Sequence, residues 1–155
     1  MRYTVACVAV ALSMAACAPP AAVSNDPETG KQVLQRLDLL NQLLAARDKG
    51  IVNEFETDAL LLGSEENEIA IGRDQLDPFF AKLFALPVKV SWAWKETRVT
   101  SLGEIAWLYA DGEVVETTED GKEVRAPYRL TGVLGRTGGS WKWRLFHGSE
   151  PARGQ

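Results

Sequence analysis

Residues 88–146 carry long runs in which apolar and polar side chains alternate, broken by short glycine turns, and this half of the chain can only be sheet. Val88, Val90, Trp92 and Trp94 alternate with Lys89, Ser91, Ala93 and Lys95, the period-two pattern of a half-buried strand. Residues 105–109 predict a second strand, continued through residues 114–117. Glu119-Asp120-Gly121-Lys122 supplies a hairpin turn of the Asp-Gly kind, which tolerates the positive φ such turns require. Residues 128–136 form a further strand, Gly138-Gly139 the next turn, and residues 141–146 the last strand.

Upstream the period becomes that of a helix. Val33, Leu37, Leu40 and Leu44 recur at helical spacing, with Leu34, Leu39 and Leu43 widening the stripe. Gln35, Arg36, Asp38, Asn41 and Gln42 fill the opposite face, so residues 31–47 predict an amphipathic helix. A shorter helix is expected next, capped by Asp48, with Ile51, Val52 and Phe55 facing inward. Short apolar runs at residues 59–62 and 69–71 flank the acidic turn Gly63-Ser64-Glu65-Glu66-Asn67 and predict a strand pair. Asp77 as cap with Pro78 in the first helical position predicts a third helix. Phe79, Phe80, Leu83 and Phe84 form its apolar face, and Pro87 ends it. Helices first and an antiparallel meander after them define an α+β domain.

The N-terminus has a different character. Arg2 precedes an apolar run over residues 5–15, too short for a permanent membrane helix, which needs about 20 apolar residues. A charged start, a short apolar core and small residues at the cut are those of a secretory signal peptide. Met14-Ala15-Ala16-Cys17 closely resembles the cleavage site of bacterial lipoproteins. The resemblance implies removal of residues 1–16 and lipidation of Cys17, with two or more acyl chains holding the protein at a membrane. It places the chain in the cell envelope; Ala18, where an aspartate would mark inner-membrane retention, favours the outer membrane, facing the periplasm, in a Gram-negative cell. Residues 17–29, rich in alanine and proline, read as a lipidated flexible tether, residues 30–151 as a single domain and residues 152–155 as a tail.

Removal of the signal peptide takes away Arg2 and no acid, leaving 16 basic against 21 acidic side chains. Such a surface does not suit nucleic acid, whose binding needs concentrated Lys and Arg. Cys7 lies in the discarded segment and Cys17 is modified, so no thiol remains for a disulfide, a nucleophile or a zinc–thiolate site. The single histidine makes a metal site unexpected, and no cofactor motif is present.

Four stretches in order resemble the SnoaL-like branch of the nuclear transport factor two-like fold. They are Phe55-Glu56-Thr57-Asp58-Ala59, Ile71-Gly72-Arg73, Gly103-Glu104-Ile105-Ala106-Trp107 and Ser140-Trp141-Lys142-Trp143-Arg144-Leu145-Phe146-His147-Gly148-Ser149. The resemblance implies a cone: N-terminal helices packed against a strongly curved, antiparallel or mixed sheet, with an apolar cavity inside. Ketosteroid isomerase-like members of this fold use a carboxylate base near the end of the first strand and a phenol donor deeper in. The matching base position falls near Leu62-Gly63, which carries no carboxylate, and the first helix has no tyrosine.

Candidate site residues follow. His147, the only side chain with an unperturbed pKa near neutrality, shares strand parity with Trp141, Trp143, Leu145 and Ser149. It could act as a base with Asp58, Glu56 or Glu68; the plainer reading makes it a strand-end residue bonded to backbone. Glu65, Glu66 and Glu68 are equally readable as solvated turn residues. Trp92, Trp107, Tyr128, Trp143, His147 and Ser149 are expected to line a ligand pocket, although core filling explains any single tryptophan. The leading reading is a non-catalytic domain that binds a small hydrophobic ligand or a protein partner. A small isomerase, cyclase or hydrolase using His147, and a homodimerisation or assembly module, are the alternatives. A cone already packed by tryptophans would favour the assembly role.

Overall fold

The structure, a computed structural model, describes Val23 and residues 26–151; the expected signal peptide, Cys17, most of the expected tether and the expected C-terminal tail lie outside the described residues. Helix α1 spans Pro27–Ala46. It starts earlier than the leucine periodicity indicated: Asp26 accepts a hydrogen bond from Thr29 N at 2.9 Å, and Pro27 takes the first helical position. Residues 27–29 are therefore the first turn of α1 and not tether. Its buried stripe is Val33, Leu37, Leu40 and Leu44, as the spacing predicts. The helix ends at Arg47, whose φ of 55° lies in the left-handed region.

The expected second helix is a 3-10 turn over Lys49–Glu54, with the Asp48 side chain accepting from Gly50 N. Ile51, Val52 and Phe55 are all buried as foreseen, although Phe55 already belongs to strand β1, Phe55–Leu62. β1 forms the foreseen hairpin with β2, Ile69–Ile71.

Helix α2, Arg73–Phe84, corrects the expectation for Asp77 and Pro78. Gly72 is the N-cap, and Pro78 lies inside the helix. Burial and anchoring outweigh the proline signal: Leu76, in the turn before Pro78, is wholly buried. Arg73 fastens the same end, donating to Val52 O at 2.7 Å and to Asn53 Oδ1 at 2.6 Å.

The remaining strands are β3 Val88–Leu102, β4 Ile105–Thr118, β5 Glu123–Thr137 and β6 Ser140–Ser149. All six strands form one sheet in the order β2-β1-β6-β5-β4-β3. β1 runs parallel to β6 and every other pair is antiparallel, which makes the sheet mixed. At the exposed edge, Asn41 of α1 does the work of a neighbouring strand. Its side chain donates to Trp92 O at 2.9 Å and accepts from Trp92 N at 2.8 Å. Edge backbone covered in this way is closed to unwanted pairing.

Two bulges decide which residues face the helices. Pairing slips by one at Lys95 in β3, between Trp94 and Glu96. It slips again at Arg144, because Trp143 pairs with Leu134 and Leu145 with Val133. A single extra residue reverses the facing of all that follows. Trp141 and Trp143 are buried before the bulge, Phe146 and Gly148 after it.

Candidate functional site

The inner face of the sheet is lined by aromatic rings that touch one another. Trp92 lies 5.6 Å from Trp94, 6.1 Å from Tyr128 and 5.6 Å from Phe146, measured between ring centroids. Phe146 is 5.9 Å from Trp143, and Trp143 is 6.5 Å from Phe55. Phe55 in turn meets Phe80 of α2 at 5.8 Å. Such offset and edge-on contacts stabilise aromatic clusters beyond the area they bury. Strand positions opposite the large rings are glycines: a Cβ on Gly132 would run into the Trp143 ring, and one on Gly148 into the Tyr128 hydroxyl. Sequence and packing are thus matched, with space removed on one strand where the next supplies an indole.

The polar atoms of this interior are donors. The Trp94 and Trp143 indole Nε1 atoms are buried without a hydrogen-bond partner. Burial pushes the Tyr128 phenol well above the usual tyrosine range, and the Glu68 and Glu150 carboxylates push it further the same way. A phenol whose folded pKa exceeds its unfolded value of about 10 contributes stability that is complete below pH 10 and is lost as pH rises through the folded value. We expect the melting temperature to fall above pH 10, and Tyr128→Phe to remove that part of the fall. Parallel alkaline curves for the two proteins would mean that the phenol is not protected.

The six residues expected to line one pocket do not share one space. Trp92, Tyr128 and Trp143 face the interior, while Trp107, His147 and Ser149 lie on the outer face of the sheet. The Arg144 bulge is the physical reason: it breaks the parity that tied His147 to Trp143. His147 is exposed, paired across the sheet with Thr131 and Leu62. Asp58 is exposed in the part of β1 where pairing with β6 is interrupted. Glu68 braces its own hairpin, accepting from Ser64 N at 3.0 Å and Glu65 N at 3.3 Å. Glu56 accepts from the Thr137 hydroxyl. Among the described residues, no hydrogen bond or ion pair joins His147 to any of these carboxylates, and no cluster of three metal-ligating side chains occurs.

The outer face carries an arrangement that sequence reading missed. Ile71, Leu60, Leu145, Val133 and Trp107 are successive cross-strand partners on five strands, a single apolar row. The adjacent row is Ile69, Leu62, His147, Thr131 and Tyr109. Ile69, Ile71 and Trp107 are 53%, 59% and 40% exposed, far from the burial their side chains favour. The signal was present in β4, where Ile105, Trp107 and Tyr109 alternate with Ala106, Leu108 and Ala110. β4 is thus apolar on both of its faces, a departure from the apolar-in, polar-out alternation of an antiparallel sheet with one solvated face.

A protein-family model described as a SnoaL-like domain matches residues 33–153. The chain belongs to the SnoaL-like family. Solved structures agree on the fold of this SnoaL-like domain. One, from Xanthomonas campestris, is provisionally named a calcium/calmodulin dependent protein kinase II association domain. It is 22% identical at a TM-score of 0.68, over 87% of this chain and 96% of that one. A second, from Streptomyces avermitilis and provisionally named a dehydratase of the NTF2-like family, is 16% identical at a TM-score of 0.72, over 83% and 100%. A third, provisionally named an aromatic ring hydroxylase, from Novosphingobium aromaticivorans, is 18% identical at 0.72, over 81% and 91%. No curated protein matches the chain. At these identities the likeness establishes the SnoaL-like architecture and no chemistry. No helix among the described residues is long and apolar enough to cross a membrane.

Proposed function

We propose that this SnoaL-like domain is a non-catalytic assembly module, held at a cell-envelope membrane by lipid on Cys17, which pairs with a second copy through the outer face of its sheet. The observation that carries the reading is the row from Ile71 to Trp107: apolar side chains side by side across five strands, exposed at Ile71 and Trp107 and half-buried at Leu60, Leu145 and Val133 between them, mark an interaction surface. Charge supports a second copy as the occupant. The ion-pair network beside the row holds Lys95, Arg98, Arg125 and Arg129 against Glu96, Asp111, Glu113 and Glu123. These four basic and four acidic groups balance one another, so the ion-paired part of this face carries no net charge to repel a second copy. The association-domain name of one structural relative agrees with this role.

Catalysis by His147 finds no support in the geometry, because the histidine and the stacked rings lie on opposite faces. Binding of a small hydrophobic ligand inside the cone is the second reading, favoured by the two unpaired indole donors. The test uses the full-length protein in a Gram-negative host. Cross-linking of the membrane fraction should capture dimers, and Trp107→Glu should weaken dimerisation about 100-fold, as loss of an aromatic hot spot does. Cys17→Ser should move the protein to the soluble fraction without affecting pairing. A monomeric wild type, or a Trp107→Glu protein that still pairs, would refute the outer-face assignment; a Cys17→Ser protein that stays with the membrane would refute the anchor.

A further inference from the structure

The apolar row of the outer face has a centre. It takes one residue from each of β2, β1, β6, β5 and β4, so Leu145 of β6 stands in the middle, with Ile71 and Trp107 at the ends. Sheets stacked face to face either align their strands within about 30° or cross them near 90°. Aligned stacking of two copies lays one row upon the other, and two symmetry axes do this. One runs along the strands through β6 and exchanges the ends of the row. The other runs along the row and turns the sheet end for end. Charge decides between them.

β1 runs parallel to β6, so residues that precede Leu60 and Leu145 lie on one side of the row and residues that follow them lie on the other. On the first side are Asp58 and Arg144, both exposed, and neither is in an ion pair among the described residues. Arg144 reaches sideways over β5, where a Cβ on Gly135 would meet its Nε. On the second side are the exposed Glu65 and Glu66 of the turn after β1, and Arg129 of β5. An axis through β6 lays β1 of one copy over β5 of the other. Asp58 then meets Arg144, and the Glu65-Glu66 turn meets Arg129. Lys142, close to that axis, is long enough to turn its ammonium to solvent. An axis along the row instead sets Asp58 toward the acidic turn and Arg144 toward Arg129, like against like. The start of α1 favours the same choice. Gln32 accepts from Arg136 at 3.0 Å and from Trp141 at 3.1 Å, so the helix begins at the end of the sheet where β5 turns into β6. The axis through β6 keeps both starts at that one end, from which two lipid-anchored chains leave toward the same membrane.

We infer that two copies pair about a two-fold axis running along β6, with Ile71 of each against Trp107 of the other and Asp58 of each against Arg144 of the other. This rests on pairing through the outer face and adds its register. Asp58 and Arg144 act as the residues that reject the reversed arrangement, since like charges brought face to face across an interface suppress wrong pairings. The two-fold symmetry makes each contact twice, so one substitution is felt at two places.

Charge reversal in the full-length protein, read by cross-linking in the membrane and by sedimentation in detergent, tests it. Asp58→Arg alone sets guanidinium against guanidinium, and Arg144→Asp alone sets carboxylate against carboxylate. Each should weaken self-pairing at least about tenfold. Produced together under different tags, the two variants should pair with each other as tightly as the wild type pairs with itself, because every contact then joins opposite charges. That recovery also shows both variants to be folded. Self-pairing of either variant at wild-type strength, or a mixture that pairs no better than its components, would overturn the register and leave outer-face pairing standing. A monomeric wild type would overturn both.

Discussion

Trp143→Ala is expected to remove about 4 kcal/mol of folding stability, a large part of what a domain of this size possesses. The indole is wholly buried, wedged between Phe55 and Phe146, and seated over Gly132. The neighbours on two sides, Phe55 and Phe146, are themselves large rings and cannot collapse into the space. Trp143→Phe should cost much less, roughly 1–2 kcal/mol, because it keeps a six-membered ring in the space and the nitrogen lost with the rest of the indole has no partner. Urea unfolding of the three proteins measures both. Equal losses for alanine and phenylalanine would show that the indole nitrogen is bonded after all and that the unpaired donor is not real.

Gly132→Ala is expected to cost about 3 kcal/mol, lowering the melting temperature by roughly 10 °C. Its new methyl would meet the Trp143 ring and, at 3.2 Å, the Leu145 carbonyl oxygen. Gly148→Ala makes the tighter clash but against the Tyr128 hydroxyl, the far tip of a side chain that can tilt. It should cost about 1 kcal/mol. What decides the order is whether the obstructing atom can move, and Trp143 is held by rings on both sides. Thermal melts of the two variants give the answer; a Gly148→Ala protein less stable than Gly132→Ala would reverse that assignment of rigid and yielding neighbours.

The architecture was largely legible because two periodicities carry it. Val33, Leu37, Leu40 and Leu44 announce α1, and the alternation from Val88 to Trp94 announces the first long strand. Helix starts were harder. At α1 the Asp26-Pro27 signal was hidden within a proline-rich run, and at α2 the Asp77-Pro78 signal was overruled by the burial of Leu76 one residue earlier. The candidate site was legible only in part, since Trp92, Tyr128 and Trp143 do face inward. His147 and Ser149 could not be placed by parity, because a bulge leaves no mark in composition, and Trp107 could not because β4 is apolar at both parities. Nothing about Arg144 in the sequence declares it unpaired. The apolar outer row was equally hidden, since it is assembled from one residue on each of five strands.

The Arg144 bulge also bears on how such a domain can change its chemistry. A strand keeps two lists of side chains, one for each surface, and an inserted residue exchanges the lists from that point onward. In this chain the exchange sends its only histidine to the outside and brings Phe146 and Gly148 in. Removing one residue at that position would offer the opposite assignment, an imidazole among tryptophans, without altering any other side chain. On β6 the choice between an inert aromatic filling and a titratable interior is therefore a matter of length and not of residue type, and a single insertion or deletion is the smallest step between them.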